Sequence, residues 1–360
     1  MNTGYFIAVL LPALVGISWV RYLWKHSHWA AIVGYGYLLG IFVTISTIRL
    51  WDAIGLTLTF SWIAGFLVLL TMPALLGVRS EATDWHIRPT LETWQRVVWW
   101  LLLSIILVRY GGIFLEIIWR PLYPWDAWMN WAPKAKVWFE LKELVSFVPM
   151  EQWIENEPPL LAYTLGRVSQ YPPLVPLVQT WTALGLGAWI DNLINLPWAI
   201  CATALGLGLY GLGINLGAKP HIAMLFTFLL LTFPYINVHV ALAGYADIWL
   251  AAYYGLACMA LIGWMMTREA VQAALAVVFA LACMQTKIPG VIWAFTLIPA
   301  LLIYLLPRKL GYLLIGLCAS GLAITLLAGG FSVELPVLGE IILRPDLLSI
   351  PGVGEYTLEY

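Results

Sequence analysis

Long apolar runs, separated by short polar segments, extend along most of the chain. Each run holds about 20 residues, the length of helix that crosses the hydrocarbon core of a bilayer. There are ten such runs: Gly4–Trp24, Trp29–Leu50, Leu56–Val78, Val97–Trp119, Asn192–Gly217, His221–Val240, Asp247–Met266, Ala270–Met284, Pro289–Leu306 and Leu310–Gly330. The pattern predicts an all-α polytopic membrane protein with about ten transmembrane helices. Because the first run lacks the charged start and cleavage site of a signal peptide, we expect it to be a retained helix.

The distribution of Lys and Arg predicts the orientation, since these residues concentrate in cytoplasmic loops. One set of short loops holds nine of them: Arg21, Lys25, Arg79, Arg88, Arg96, Lys219, Arg268, Arg308 and Lys309. The opposite set holds three, Arg49, Lys287 and Arg344, apart from five more in the central loop. We therefore expect the first set to be cytoplasmic, with the central loop and both termini on the outer side, in the inner membrane of a bacterium.

Composition supports the membrane class and excludes other functions. Of the 360 residues, 62% are hydrophobic and 10% are charged, against about 25% charged residues in soluble proteins. The net charge of −1 gives no basic field for a nucleic acid partner. The four cysteines lie inside apolar runs without a CxxC spacing, so neither a metal site nor a disulfide framework is indicated.

The central loop, residues 120–191, is the main polar interruption. Trp128, Trp131, Ala135 and Trp138 share one face of a helix, which we expect to begin near Pro133 and to lie in the membrane interface with its tryptophans at headgroup depth. Leu174–Ala188 is short for a crossing. We expect it to be a helix that lies outside the bilayer or half-submerged in it.

Asp126 is the candidate general base in this loop. One interpretation is structural, because Asp favours the N-cap position of a helix. The other is a carboxylate held at the membrane surface to accept a proton from an acceptor hydroxyl. Its neighbours Trp125, Trp128 and Trp131, and the nearby Lys134 and Lys136, favour the second interpretation. Snorkelling to the interface is the alternative role for the two lysines.

Other ionisable residues fall at or inside the predicted spans. Asp247 and Lys287 lie at turns on the same predicted side as Asp126. Arg109 falls in the middle of a span, where a charge costs about 2.5–3.5 kcal/mol. We expect it to face the bundle interior or a wet cavity, with Glu116 or Asp52 as a possible partner. His221 and His239, at helix ends, are interpreted as structural.

Several short motifs resemble the GT-C superfamily of membrane glycosyltransferases, in the branch of protein mannosyltransferases and lipid A aminoarabinose transferases. The motifs are Asp126 followed by Ala135-Lys136, Tyr171-Pro172-Pro173-Leu174, Asn195-Leu196-Pro197, Ala246-Asp247-Ile248-Trp249-Leu250 and Gln285-Thr286-Lys287-Ile288-Pro289-Gly290. The resemblance covers about Val97 to Leu306. The chain departs from the family pattern in two ways: Ala127 stands where a second carboxylate is expected, and Tyr171 stands where a lysine is expected.

The resemblance implies three regions. Residues 1–96 hold three extra N-terminal transmembrane helices and a cytoplasmic loop, residues 97–330 form a GT-C-like transmembrane core with the outer catalytic loop 120–191, and residues 331–360 form an outer tail. It implies inverting transfer of a sugar from a polyprenyl-phosphate carrier to a glycan, lipid or protein acceptor of the cell envelope. A divalent metal is possible but no cofactor is required.

The resemblance also implies roles for individual residues. Asp126 would be the base and Asp247 would orient the donor or the acceptor. The donor phosphate would be bound by Lys287, Lys134, Lys136 and Tyr171. Two alternatives stay open: a transporter or flippase, which also uses intramembrane charges and broken helices, and a non-catalytic scaffold.

Overall fold

The computed structural model describes residues 2–77, 91–148, 150–155, 163–164, 171–335, 339–350 and 354–357. Two loop arginines used for the orientation, Arg79 and Arg88, lie outside these residues. The chain divides into two compact units, Met1–Lys287 and Ile288–Tyr360.

The first unit is helical. Its helices are α1 (Thr3–Leu23), α2 (Trp29–Ala53), α3 (Phe60–Gly77), α4 (Thr93–Trp119), α5 (Ala132–Leu141), α6 (Met150–Glu155), α7 (Leu174–Leu186), α8 (Pro197–Asn215), α9 (Pro220–Thr232), α10 (Pro234–Ala241), α11 (Asp247–Thr267) and α12 (Ala270–Thr286). A π-helical turn, Ala127–Trp131, precedes α5, and a 3₁₀ turn, Leu193–Asn195, precedes α8. The two-residue strands β1 (Phe147–Val148) and β2 (Tyr163–Thr164) pair in parallel.

The second unit contains α13 (Pro289–Phe295), α14 (Leu297–Leu305) and α15 (Arg308–Leu327). The strands β3 (Phe331–Leu335), β4 (Gly339–Leu343), β5 (Leu347–Ile350) and β6 (Gly354–Thr357) follow and form an antiparallel sheet in the order β3-β4-β5-β6. This sheet occupies part of residues 331–360, for which only an outer tail was predicted.

Within the described residues, seven helices are long and apolar enough to cross a membrane, and the pair α9–α10, bent by 57°, would make an eighth. The other two predicted spans are the shorter apolar helices α12 and α13–α14. The helices fit a multi-pass membrane protein. Helical structure follows from that setting, because a backbone in hydrocarbon must satisfy its hydrogen bonds internally.

The interior of the first unit depends on close helix contacts. α2 packs between α1 and α8, and α11 packs on α8 and α12. Glycines make the α1–α2 contact possible: a Cβ at Gly40 would lie 1.6 Å from the carbonyl oxygen of Pro12, and one at Gly16 would lie 1.8 Å from that of Gly36. Small residues of this kind allow membrane helices to approach backbone to backbone.

The helix predicted at Leu174–Ala188 forms as α7 and is covered by other helices of the first unit. All thirteen residues of α7 are buried, and the helix packs against α1, α2, α5 and α12. Trp181 Nε1 donates to the carbonyl oxygen of Ala8 at 2.8 Å, and the Thr180 hydroxyl donates to that of Ala135 at 3.2 Å.

The tryptophan face of the central loop is likewise covered by protein. α5 begins as expected, with Pro133 in its first turn. However, Trp131 is 0% exposed and Trp138 is 7% exposed, while Trp128 is 46% exposed. The apolar face of α5 packs on α7, so two of the three tryptophans are core residues. Helical periodicity identifies an apolar face but does not reveal whether lipid or protein covers it.

Contacts divide the loops of the first unit between two ends. At one end, which we call the Asp126 end, Gly244 meets Ala127, Arg49 donates to Gln285 at 2.6 Å, and the Leu144 amide donates to Asp52 at 2.7 Å. At the opposite end, Trp24 donates to Glu269 at 2.6 Å, and the His28 amide donates to Asn215 at 2.8 Å. The loops that make these contacts fall into the two groups used for the orientation, and which end faces outward stays a prediction.

Candidate functional site

Asp126 lies in a tight turn at the start of the π-helical segment. The amides of Ala127 and Trp128 both donate to the carbonyl oxygen of Pro124, at 3.0 and 3.2 Å. The Asp126 carboxylate does not cap the backbone; it accepts from Asn130 Nδ2 and, at 2.9 Å, from Trp131 Nε1. These donors lie four and five residues further on, a spacing that suits a π-helical turn. Such turns occur frequently at functional sites.

Asp247 and Lys287 form an ion pair at the same end. α11 and α12 are packed neighbours joined by Arg268 and Glu269, so the first residue of α11, Asp247, lies beside Lys287, which follows α12. Lys287 Nζ lies 3.1 Å from Asp247 Oδ1 and 3.3 Å from Oδ2. Both side chains are partly exposed, so the pair is accessible to a ligand.

Gly244 brings the loop before Asp247 against the turn that holds Asp126. Gly244 has φ +110°, and a Cβ there would lie 2.6 Å from Ala127 Cβ. The next residue is fixed as well, because Trp198 Nε1 donates to the carbonyl oxygen of Tyr245 at 2.6 Å. The close approach at Gly244 therefore places two segments about 120 residues apart in one site.

The pKa of Lys287 is raised by the acidic groups around it. Burial, the largest single influence, lowers it, but the charge and hydrogen bond of Asp247, with the charge of Asp126, outweigh burial and raise the pKa above its usual value. Lys287 therefore stays protonated at neutral pH. The structure thus brings together four of the predicted site residues: Asp126, Tyr171, Asp247 and Lys287.

Lys134 and Lys136 are placed differently from that group. Lys134 is 3% exposed, and its Nζ donates to the backbone carbonyl of Tyr171 at 3.2 Å. Burial lowers the pKa of Lys134 to about 8. Lys136 lies on the exposed side of α5. Lys134 therefore contacts the backbone of Tyr171, whereas the Tyr171 ring stacks on Trp131 with 5.1 Å between ring centroids.

His239 belongs to the site although the sequence analysis treated it as structural. Its Nδ1 lies 3.8 Å from Asp247 Oδ2. Its ring lies 4.3 Å from the ring of Tyr235 and 5.8 Å from that of Tyr245. One sequence signal could have indicated that His239 lies near Asp247. His239 falls in the last turn of the helix that leads into the loop before Asp247.

Arg109 and Glu116 are not paired with each other as suggested. Arg109 Nε donates to Asn237 Oδ1 at 2.5 Å, and Glu116 pairs with Arg120 at 2.9 Å. Asn237 Nδ2 also donates to two carbonyls at the α9–α10 break, those of Leu231 and Phe233. Arg109 is exposed and does not face the bundle interior, because the amide that it reaches lies at the break between two outer helices.

The end of α4 borders an open cavity of about 570 Å³. It is lined by Gly112, Leu115, Glu116, Trp119, Arg120 and Pro121. The lining is mostly apolar and includes the Glu116–Arg120 ion pair, and Asp126 follows six residues after Arg120 in the chain. Among the described residues, no group of three or more His, Cys, Asp or Glu side chains could hold a metal ion.

No known protein family, no curated protein and no solved structure matches this chain. The functional conclusion therefore depends on the geometry of the site.

Proposed function

We propose that the protein is a membrane glycosyltransferase of the GT-C type, which moves a sugar from a polyprenyl-phosphate carrier to an acceptor. The observation that carries the proposal is that the Asp247–Lys287 ion pair and the turn that holds Asp126 lie at one end of a membrane-type helical unit, with Gly244 against Ala127. Two carboxylates and one ammonium group, beside exposed aromatic rings, supply the groups that transfer from a phosphate donor needs.

In this proposal Asp126 is the general base. Hydrogen bonds from Asn130 and Trp131 hold its carboxylate in one orientation, and each carboxylate oxygen keeps further acceptor capacity. The acceptor oxygen attacks the anomeric carbon as Asp126 takes its proton. The bond from that carbon to the phosphate oxygen breaks on the opposite face, and the polyprenyl phosphate leaves.

Lys287 stabilises the leaving phosphate. Negative charge grows on the phosphate oxygens as the glycosidic bond breaks, and a fixed cation at that place lowers the barrier. Lys287 is protonated at neutral pH and held by Asp247. The open, mostly apolar cavity at the end of α4, lined by residues up to Pro121, offers room for the first isoprene units.

The test measures release of polyprenyl phosphate by the purified protein in liposomes. The donors are short-chain polyprenyl phosphates that carry a hexose, a pentose or an amino sugar, with an envelope lipid and glycan extract as the acceptor source. We expect Asp126→Asn to lose at least about 100-fold in rate, the usual contribution of a general base.

Asp191→Asn is the matched control for this test. It is the same chemical change at an exposed aspartate that bonds Trp189 Nε1 at 2.6 Å, and we expect it to keep full activity. Full activity of Asp126→Asn, in protein that remains folded, would sink the assignment of the base.

A transporter is the second candidate, and the 57° break between α9 and α10 favours it. Asn237 satisfies the carbonyls at the break and receives Arg109, an arrangement that also suits the broken helices of transporters. Sealed liposomes separate the two functions. A transporter moves a fluorescent polyprenyl-phosphate sugar across the bilayer without consuming it, whereas the proposed enzyme releases polyprenyl phosphate.

A further inference from the structure

The candidate site carries a net negative charge, which disfavours the binding of an anionic ligand. Asp126 and Asp247 contribute two negative charges and Lys287 contributes one positive charge, so with His239 neutral the group carries −1. In addition, Lys287 already contacts both carboxylate oxygens of Asp247. A phosphate that binds Lys287 must enter a negative site and share the lysine with Asp247.

His239 is placed to correct this balance. Its Nδ1 is buried and, within the described residues, has no hydrogen-bond partner. Asp247 Oδ2 lies 3.8 Å away, so a shift of less than about 1 Å would give a hydrogen bond. A protonated His239 would hold Asp247 when an anion draws Lys287 away, and it would bring the net charge of the group to zero.

The surroundings of His239 contain few other charges. α10 packs against α4, α8, α9 and α11. α4 contributes Arg109, which bonds Asn237, and α11 contributes Asp247, with Lys287 behind it. α8 and α9 hold no Asp, Glu, Lys or Arg, and His221 lies at the far end of α9. The nearest rings are those of Tyr235 and Tyr245.

We propose that His239 is a second, proton-dependent cation of this site, so that binding of a phosphate ester at Lys287 is coupled to uptake of a proton by His239. The inference rests on the proposed function for the identity of the ligand class. Anion affinity then rises as the pH falls through the titration of His239, and anion binding in turn favours the protonated imidazole, because linkage is reciprocal.

The test uses geranyl methyl phosphodiester, whose single negative charge stays constant between pH 5.5 and 8. Calorimetric titration of the full-length protein in detergent gives its affinity at both pH values. Repeating the titration at pH 7 in buffers of different ionisation enthalpy gives the number of protons taken up. For the unmodified protein we expect about tenfold tighter binding at pH 5.5, within the usual range of coupling, and net proton uptake at pH 7.

Variants separate His239 from other titrating groups. His239→Gln should bind weakly at both pH values without proton uptake, whereas His239→Lys, with its fixed charge, should bind tightly at both. The control is His26→Gln, an exposed histidine at the opposite end, which should behave as the unmodified protein. Lys134, with its pKa of about 8, is present throughout, so its contribution cancels between variants.

The possible results distinguish a failure of the role of His239 from a failure of the proposed function. Absence of phosphodiester binding at any pH would overturn both. Binding without pH dependence or proton uptake would overturn the role of His239 alone and leave the phosphate site standing. If His239→Gln does not fold, the proton-uptake measurement on the unmodified protein decides the question, with His239→Asn as the replacement variant.

Discussion

Gly244→Ala should separate the two halves of the candidate site. Gly244 has φ +110°, and its added Cβ would lie 2.6 Å from Ala127 Cβ, in the turn that holds Asp126. Ordinary contact begins at 3.4 Å, so one segment must retreat by about 0.8 Å. Because the neighbour is itself a Cβ fixed to backbone, no side-chain rotation relieves the contact.

The size of the effect follows from this displacement. A misplacement of about 1 Å in a reacting group can cost about 100-fold in rate, and we expect a loss of this order in polyprenyl phosphate release. The strained backbone should cost about 1–3 kcal/mol of stability. Both quantities are measured on one preparation, by initial rates in liposomes and by thermal unfolding in detergent.

Two further variants isolate the contact from the backbone strain. Gly55→Ala also places a side chain at positive φ (+79°), but nothing lies within 4 Å of its Cβ, so it should lose stability and keep activity. Gly244→Ala combined with Ala127→Gly removes the clashing atom and should recover most of the rate. If Gly244→Ala is as active as Gly55→Ala, or if Ala127→Gly restores nothing, the reasoning about this contact is refuted.

Two other predictions concern the supports of Asp126 and Tyr171. Trp131→Phe keeps an aromatic ring but removes the hydrogen-bond donor to Asp126 Oδ2. Because a hydrogen bond to a charged group contributes about 1.5–3 kcal/mol, the rate of polyprenyl phosphate release should fall at least about tenfold. Trp128→Phe, at an exposed position, is the control and should leave the rate unchanged. Lys134 has a pKa of about 8 in the folded protein, lowered by burial from 10.5, so between pH 8 and 10.5 the unfolded chain binds more protons and folding is stabilised as the pH rises. The melting temperature of the unmodified protein, measured from pH 7 to 10, should therefore rise relative to that of Lys134→Met. Lys136→Met, which removes an exposed lysine of the same helix, is the matched control. A difference from Lys134→Met that stays constant over this range would contradict the lowered pKa of Lys134.

Much of the helical layout could be predicted from the sequence because apolar length is a local property. The runs that became α1, α2, α4 and α11 have the expected type and nearly the expected bounds. What covers each helix depends on the rest of the fold. The sequence of α7 does not show that other helices enclose it, because enclosure is decided by residues far away in the chain.

The residues of the candidate site could be predicted from the sequence, but the contacts between them could not. Polar residues at helix ends in an apolar chain are few, so Asp126, Asp247 and Lys287 stood out individually. Their meeting depends on Gly244, whose turn alone gives no sign that Ala127 will pack against it. His239 was missed for the same reason: its partner Asp247 is separated from it by a loop whose shape is set by that tertiary contact.

The two departures from the family pattern have physical counterparts in this site. Where a second carboxylate was expected, Ala127 provides the small side chain on which Gly244 packs, so a carboxylate at that position would push the Asp247 loop away. Where a lysine was expected, the Tyr171 ring stacks on Trp131, and the buried Lys134 donates to the Tyr171 carbonyl from behind. In the proposed enzyme, Asp247 would supply the second acid from another segment, and Lys287 would supply the cation. Lys287→Gln should therefore impair phosphodiester binding more than Lys134→Met does.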